Sequence, residues 1–190
     1  MSSQTSPTNA ASGRLQGRRI LLCVCGGIAA YKAADLVRRL REAGAAVQVA
    51  MTDNAQRFVG AQTFQALSGA PVRTSLWDPA AEAAMGHIEL ARWADRIVVA
   101  PATANTLAKL AHGFADDLVS TLCLATTVPL TVCPAMNQRM WLHPATQANL
   151  ALLRERGAQV IGPEDGPLAE GESGPGRLSE PADIVAALPA

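Results

Sequence analysis

The sequence predicts an α/β fold, a parallel sheet with helices packed on both faces. Three observations predict it. Short, nearly all-apolar runs recur along the chain, as strands buried on both faces require. Segments with helical spacing of apolar residues separate successive runs, the pattern of repeated strand–helix–strand units. Small or polar residues follow the ends of these runs, where an open α/β sheet forms its ligand crevice. Right-handed crossovers then follow from chain chirality.

The first strand is expected over residues 20–25, ILLCVC. A helix follows over 28–43 and stops at Gly44, a suitable C-terminal cap. The second strand spans 46–51. Helical segments are expected at 54–58 and 62–67, then a loop over 69–85 that contains Pro71 and Pro79. Residues 87–94 read as a short helix and 96–100 as the third strand. Helical pattern resumes over 103–111 and 115–124, interrupted at Gly113. A strand at 130–133, a helix at 144–156 ending at Gly157, and a strand at 158–161 follow. Residues 162–179 are too rich in glycine and proline for a regular element and are expected to form a flexible loop. A final helix covers 180–188. Residues 1–17 are mostly polar or small and read as a disordered tail, leaving 18–190 as one domain.

Composition narrows the function. Sixteen basic residues balance sixteen acidic ones, which argues against a general nucleic-acid surface but not against a local phosphate site. Apolar residues make up 49% of the chain, enough for a substantial core. No run is long enough for a membrane-spanning helix, so no membrane partner is expected. The N-terminus lacks the apolar segment of a secretory signal, so a cytoplasmic location with reduced thiols is expected for the four cysteines. Those cysteines include no C-x-x-C pair and no histidine at ligand spacing, so no metal site is expected. Cys23 and Cys25 share one face of the first strand and are expected to be buried.

The strand ends carry the candidate chemistry. Gly26-Gly27-Ile28-Ala29-Ala30-Tyr31-Lys32 turns into a helix whose N–H groups and dipole favour an anion, although Gly-Gly here serves equally as a plain turn. It is neither G-x-G-x-x-G nor a P-loop. Thr52, Asp53 and Asn54 follow the second strand. Thr103, Ala104, Asn105 and Thr106 open another helix, where Thr103 is either an N-cap, a ligand donor or both. Pro134-Ala135-Met136-Asn137-Gln138-Arg139-Met140-Trp141 sets an amide among soft apolar side chains, which suits orienting a carboxylate or amide over a flat ring; Asn137 is alternatively a turn residue. His87 is the best acid–base candidate of the three histidines, or else a helix-start or surface residue. His112 sits at a helix end and His143 in a loop, both with structural readings. Lys32 and Lys109 are the chain's two lysines, and each closely follows one of these motifs.

GGIAAYK, GHIELARWAD, PATANT, ADDLVSTL, PAMNQRMW and GPGRLSEP stand in this order across residues 18–188. Taken together they resemble the flavin-containing cysteine decarboxylase family, most of all the branch that acts on 4'-phosphopantothenoylcysteine in coenzyme A biosynthesis. The resemblance implies a Rossmann-like (flavodoxin-type) three-layer fold with bound FMN. It implies FMN contacts at Gly26, Gly27, Ile28, Thr52, Thr103, Ala104, Asn105, Thr106 and Ala135. It further implies a catalytic His87, and Asn137 with Met140 against the substrate. The implied assembly is a homotrimer or dodecamer with the flavin near a subunit interface. A phosphopantothenate–cysteine ligase, fused or separate, is the implied partner.

The implied reaction gives 4'-phosphopantetheine. The thiol carbon is oxidised by FMN to a thioaldehyde, the electron sink for loss of CO₂. The resulting enethiolate then takes back a hydride and a proton. His87 transfers a proton and Asn137 fixes the carboxylate.

One position departs from this pattern. Members acting on phosphopantothenoylcysteine usually read alanine, cysteine, glycine, acidic residue in the Gly-rich loop, and the cysteine donates the final proton. Here the run is Ala169, Glu170, Gly171, Glu172. Three readings follow. Glu170 is the acid instead, raised by burial under a closed flap; the reaction stalls at the enethiol; or the substrate is the C-terminal cysteine of a peptide, as in family members that lack the cysteine. A non-catalytic FMN-binding regulatory subunit is the alternative of another class, and the intact His87 and Asn137 count against it.

Overall fold

The computed structural model describes residues 13–79 and 86–190. Its main sheet has five parallel strands: β1 (Arg19–Val24), β2 (Ala46–Met51), β3 (Arg96–Ala102), β4 (Leu130–Pro134) and β5 (Gln159–Val160). Their spatial order is β2-β1-β3-β4-β5. This is the doubly wound, flavodoxin-type order, which reverses direction between β1 and β3 and opens a crevice there.

The helices are α1 (Ala30–Glu42), α2 (Ala61–Ser68), α3 (His87–Trp93), α4 (Ala104–His112), α5 (Leu118–Ala125), α6 (Gln138–Leu142), α7 (Pro144–Glu155) and α8 (Pro181–Ala187), with a 3₁₀ turn at Ala55–Arg57. They form two outer layers because side chains alternate along each strand. Ile20, Leu22 and Val24 point into a core shared with Leu36 and Leu40 of α1, Phe64 of α2 and Ile184 of α8. Leu21, Cys23 and Cys25 point the other way, into a core with Leu90 of α3, Leu107 of α4, Leu122 of α5 and Leu150 of α7. Cys23 and Cys25 are buried on one face, as expected.

The strands and most helices lie within a few residues of their expected places, and three segments differ. Residues 162–179 form an antiparallel hairpin, β6 (Glu164–Pro167) with β7 (Ser173–Arg177), in place of a flexible loop. Glycine in this stretch permits close packing: at Gly176, with φ +149°, a Cβ would collide with the Met136 carbonyl. The loop expected after β4 contains the short α6. Residues 13–17, assigned to the tail, pack on the domain: Leu15 is buried and its N–H donates to the Ala43 carbonyl at 2.8 Å. Residues 1–12, the rest of that tail, lie outside the described residues, as do 80–85 of the loop expected before α3.

Candidate functional site

A cavity of about 1360 Å³ opens at the carboxyl ends of the strands. Each of the first four strand ends contributes to its wall: Gly26 to Ala29 after β1, Thr52 to Asn54 after β2, Thr103, Asn105 and Thr106 after β3, and Ala135, Met136, Asn137 and Met140 after β4. The hairpin adds Pro167 to Glu170, Gly176 and Arg177.

Local chemistry sets each part. Gly26 lies so close to Asn54 that a Cβ would clash with that residue's backbone, so only glycine lets the two junctions meet. The first turn of α1 follows directly; its Ala30 and Lys32 N–H groups donate to the Gly27 and Ala29 carbonyls at 2.9 and 3.0 Å, and only the other leading N–H groups are left to a ligand. Thr103 caps α4, its hydroxyl accepting from the Thr106 N–H at 3.2 Å and lying 3.1 Å from the Thr106 hydroxyl. Asn137 caps α6: its Oδ1 accepts from the Arg139 N–H at 2.8 Å, which leaves Nδ2 to donate to Glu170 Oε1 at 3.1 Å.

Both lysines line the cavity, each held by acids. Lys32 Nζ donates to Glu180 Oε1 at 2.8 Å and holds that carboxyl below its ordinary value. Lys109 Nζ lies 2.7 Å from both Asp116 and Asp117. Burial alone would lower the Lys109 ammonium, but the two carboxylates outweigh it and hold it above its usual value. Burial likewise pushes Asp117 up, yet Lys109 and the Ser120 N–H and hydroxyl hold it lower than an ordinary aspartate. Beside the cavity, burial pushes the Cys25 thiol up to about 12, against a lowering hydrogen bond with Thr106. That thiol is therefore not a nucleophile at neutral pH.

The cavity brings together Gly26, Gly27, Ile28, Thr52, Thr103, Asn105, Thr106, Ala135, Asn137, Met140 and Glu170 from the expected site. It does not include Ala104 or His87. His87 begins α3, half-buried, on the side of the sheet that packs Leu90 and Ala91. The expectation of a Glu170 buried under a closed flap is corrected: Glu170 is exposed, because it sits in the turn joining β6 to β7. Arg57, Arg177 and Glu180 also line the cavity and were not singled out in the sequence, although Arg177 and Glu180 stand within the GPGRLSEP motif. His143, read as loop, caps α7 by accepting from the Ala145 N–H at 3.2 Å. His112 Nε2 lies 2.9 Å from Asn149 Oδ1.

Among the described residues no group of three or more His, Cys, Asp or Glu is placed to hold a metal ion, and no helix is long and apolar enough to cross a membrane.

The flavoprotein family profile matches residues 8–190. The coenzyme A biosynthesis bifunctional protein CoaBC of Vibrio vulnificus strain YJ016 is 57% identical over 172 residues, 90% of this chain and 43% of that protein. CoaBC of Escherichia coli strain K12 is 57% identical over 171 residues, again 90% of this chain and 42% of that protein. The chain thus spans less than half the length of these curated relatives. Among solved structures, a PPC decarboxylase mutant complexed with pantothenoylaminoethenethiol is 35% identical with a TM-score of 0.77, covering 89% of this chain and 94% of that one. The FMN-dependent cysteine decarboxylase SpaF is 34% identical with a TM-score of 0.78, covering 91% of this chain and 96% of that one.

Proposed function

The chain belongs to the flavoprotein family, and we propose that it is an FMN-dependent carboxy-lyase converting 4'-phosphopantothenoylcysteine to 4'-phosphopantetheine in coenzyme A biosynthesis. The observation that carries this reading is the strand-end cavity, which sets the Gly26–Gly27 turn, the Thr103 and Thr106 hydroxyls and the Asn137 amide around one space, in a chain 57% identical to CoaBC.

The residues fit a flavin mononucleotide. Helix starts at α1 and α4 offer N–H donors to a phosphate, and the lack of room for a Cβ at Gly26 holds the junctions after β1 and β2 together beside them. Gly26, Gly27, Ile28, Thr52, Thr103, Ala104, Asn105, Thr106 and Ala135 would hold it. FMN, when bound, would supply the reversible two-electron oxidation of the thiol carbon that makes loss of CO₂ feasible. Asn137 Nδ2 holds the substrate carboxylate, its orientation fixed by the cap to Arg139, and Met140 packs on the substrate beside it. Glu170 stands where the proton-donating cysteine is expected and would deliver the final proton from the exposed hairpin turn, not from a buried site.

His87 transfers a proton from a neighbouring subunit. Two observations support that: His87 is absent from the cavity of its own chain, and Ile28, Tyr31 and Met140 of the cavity wall remain exposed to receive a partner. A homotrimer, alone or stacked into a dodecamer, would supply that neighbour. A phosphopantothenate–cysteine ligase, fused or separate, would be its partner, in keeping with bifunctional relatives more than twice its length.

Glu170 in place of the cysteine favours one second reading, oxidative decarboxylation of a peptide's C-terminal cysteine to an enethiol. One experiment separates the two. Purified protein showing flavin absorption is given phosphopantothenoylcysteine, and CO₂ and phosphopantetheine are measured by mass spectrometry. A product lighter by CO₂ and two hydrogens, or turnover of cysteine peptides alone, would refute the first reading.

A further inference from the structure

The Asn137 amide is not free to turn. Its oxygen is committed to the Arg139 N–H at 2.8 Å, so Nδ2 is presented where Glu170 receives it at 3.1 Å. The two residues stand thirty-three positions apart and meet because the hairpin is anchored on the segment that carries Asn137. The Met136 N–H donates to the Gly176 carbonyl at 2.9 Å, and Cβ atoms at Gly174 and Gly176 would collide with Gln138 and Met136. The stem is therefore fixed. The tip is held by a turn, Leu168 N–H to Glu172 carbonyl at 2.8 Å and Gly171 N–H to Leu168 carbonyl at 3.1 Å, and by a loose Arg139–Glu172 pair at 3.8 Å. Asn137 and Glu170 both line the cavity.

From this geometry we propose that Asn137 Nδ2 is a carboxylate-recognition point that the chain keeps filled with its own Glu170, so that a carboxylate ligand enters by exchange. An incoming carboxylate repels Glu170 and competes for the same N–H, so the tip must release before the ligand is held. A ligand without a carboxylate has nothing to exchange. Glu170 then returns to Asn137, so substrate is engaged and decarboxylated product is let go by the same contact. Glu170 is in this respect a specificity-determining residue. The proposal rests on the reading of Asn137 as the holder of the substrate carboxylate.

The test uses the purified protein and two probes that carry no thiol to oxidise, N-acetylserine and N-acetylethanolamine, which differ by the carboxylate. Dissociation constants are measured by calorimetry or NMR titration for the wild type, Glu170→Ala and Glu170→Gln. Removing Glu170 is expected to tighten N-acetylserine about three- to tenfold, with a smaller gain for Glu170→Gln, and to leave N-acetylethanolamine unchanged. In an Asn137→Ala background the gain is expected to vanish. Equal gains for both probes, no gain for N-acetylserine, or no binding of N-acetylserine to any variant would overturn the proposal. Turnover of phosphopantothenoylcysteine is followed separately. Turnover without exchange removes the role of Glu170 alone, whereas exchange without turnover removes the proposed reaction.

Discussion

Lys109 Nζ lies 2.7 Å from Asp117 Oδ2, joining the last turn of α4 to the N-cap of α5 on the cavity wall. The same carboxylate accepts from the Ser120 N–H at 2.8 Å, so one side chain closes a helix end and neutralises one of the chain's two lysines.

That arrangement fixes a pH dependence. The Asp117 carboxyl is held below its ordinary value of 3.8, so its stabilisation is fully present above that value and is lost as the pH falls through the lower folded value. Asn caps a helix as well as Asp does, so Asp117→Asn removes the charge and keeps the cap. The substitution is expected to cost about 1 kcal/mol at pH 7 and progressively less below about pH 4. Urea unfolding at a series of pH values checks this, and an equal cost at pH 2 and pH 7 would assign the effect to packing.

Gly26→Ala is expected to disturb the turn between β1 and α1, because the added methyl meets the Asn54 backbone. A cost of about 1–3 kcal/mol is expected, together with a lower flavin content in the purified protein. Flavin absorbance per chain and thermal melting report the two effects. Unchanged values in both would show that the two junctions separate readily.

The thiols should be distinguishable by their surroundings. Cys25 and Cys133 are pushed up to about 12 by burial, and the buried Cys23 thiol is raised by its hydrogen bond with Cys123 and by burial. Iodoacetamide at pH 7.5 should label the half-buried Cys123 first, with the other three reacting on unfolding. Mass spectrometry of labelled peptides decides, and early labelling of Cys25 would contradict its burial at the end of β1.

His87→Asn is expected to lower turnover by about a hundredfold or more, the usual loss when a proton-transfer group is removed. If His87 serves a neighbouring chain, mixing the inactive His87→Asn and Asn137→Ala proteins with subunit exchange should restore part of the activity. No recovery after verified exchange would place both residues in one chain's site.

Local periodicity made the five parallel strands legible, because runs such as ILLCVC and IVVA are apolar enough only for strands buried on both faces. It also made most of the cavity wall legible, since Gly26, Thr103 and Ala135 follow directly on strands and chain direction alone puts them at one sheet edge. Tertiary structure decided the rest, for a physical reason: periodicity reports on neighbours a few residues apart, whereas pairing between distant segments depends on where the sheet carries them. Glu164–Pro167 and Ser173–Arg177 hold no strand-like pattern, and they pair where the segment after β4 holds β7 through Met136. The same placement, and no feature of either local sequence, brings the Glu170 carboxylate to the Asn137 amide, while the packing of α3 on the sheet leaves His87 outside its own chain's cavity.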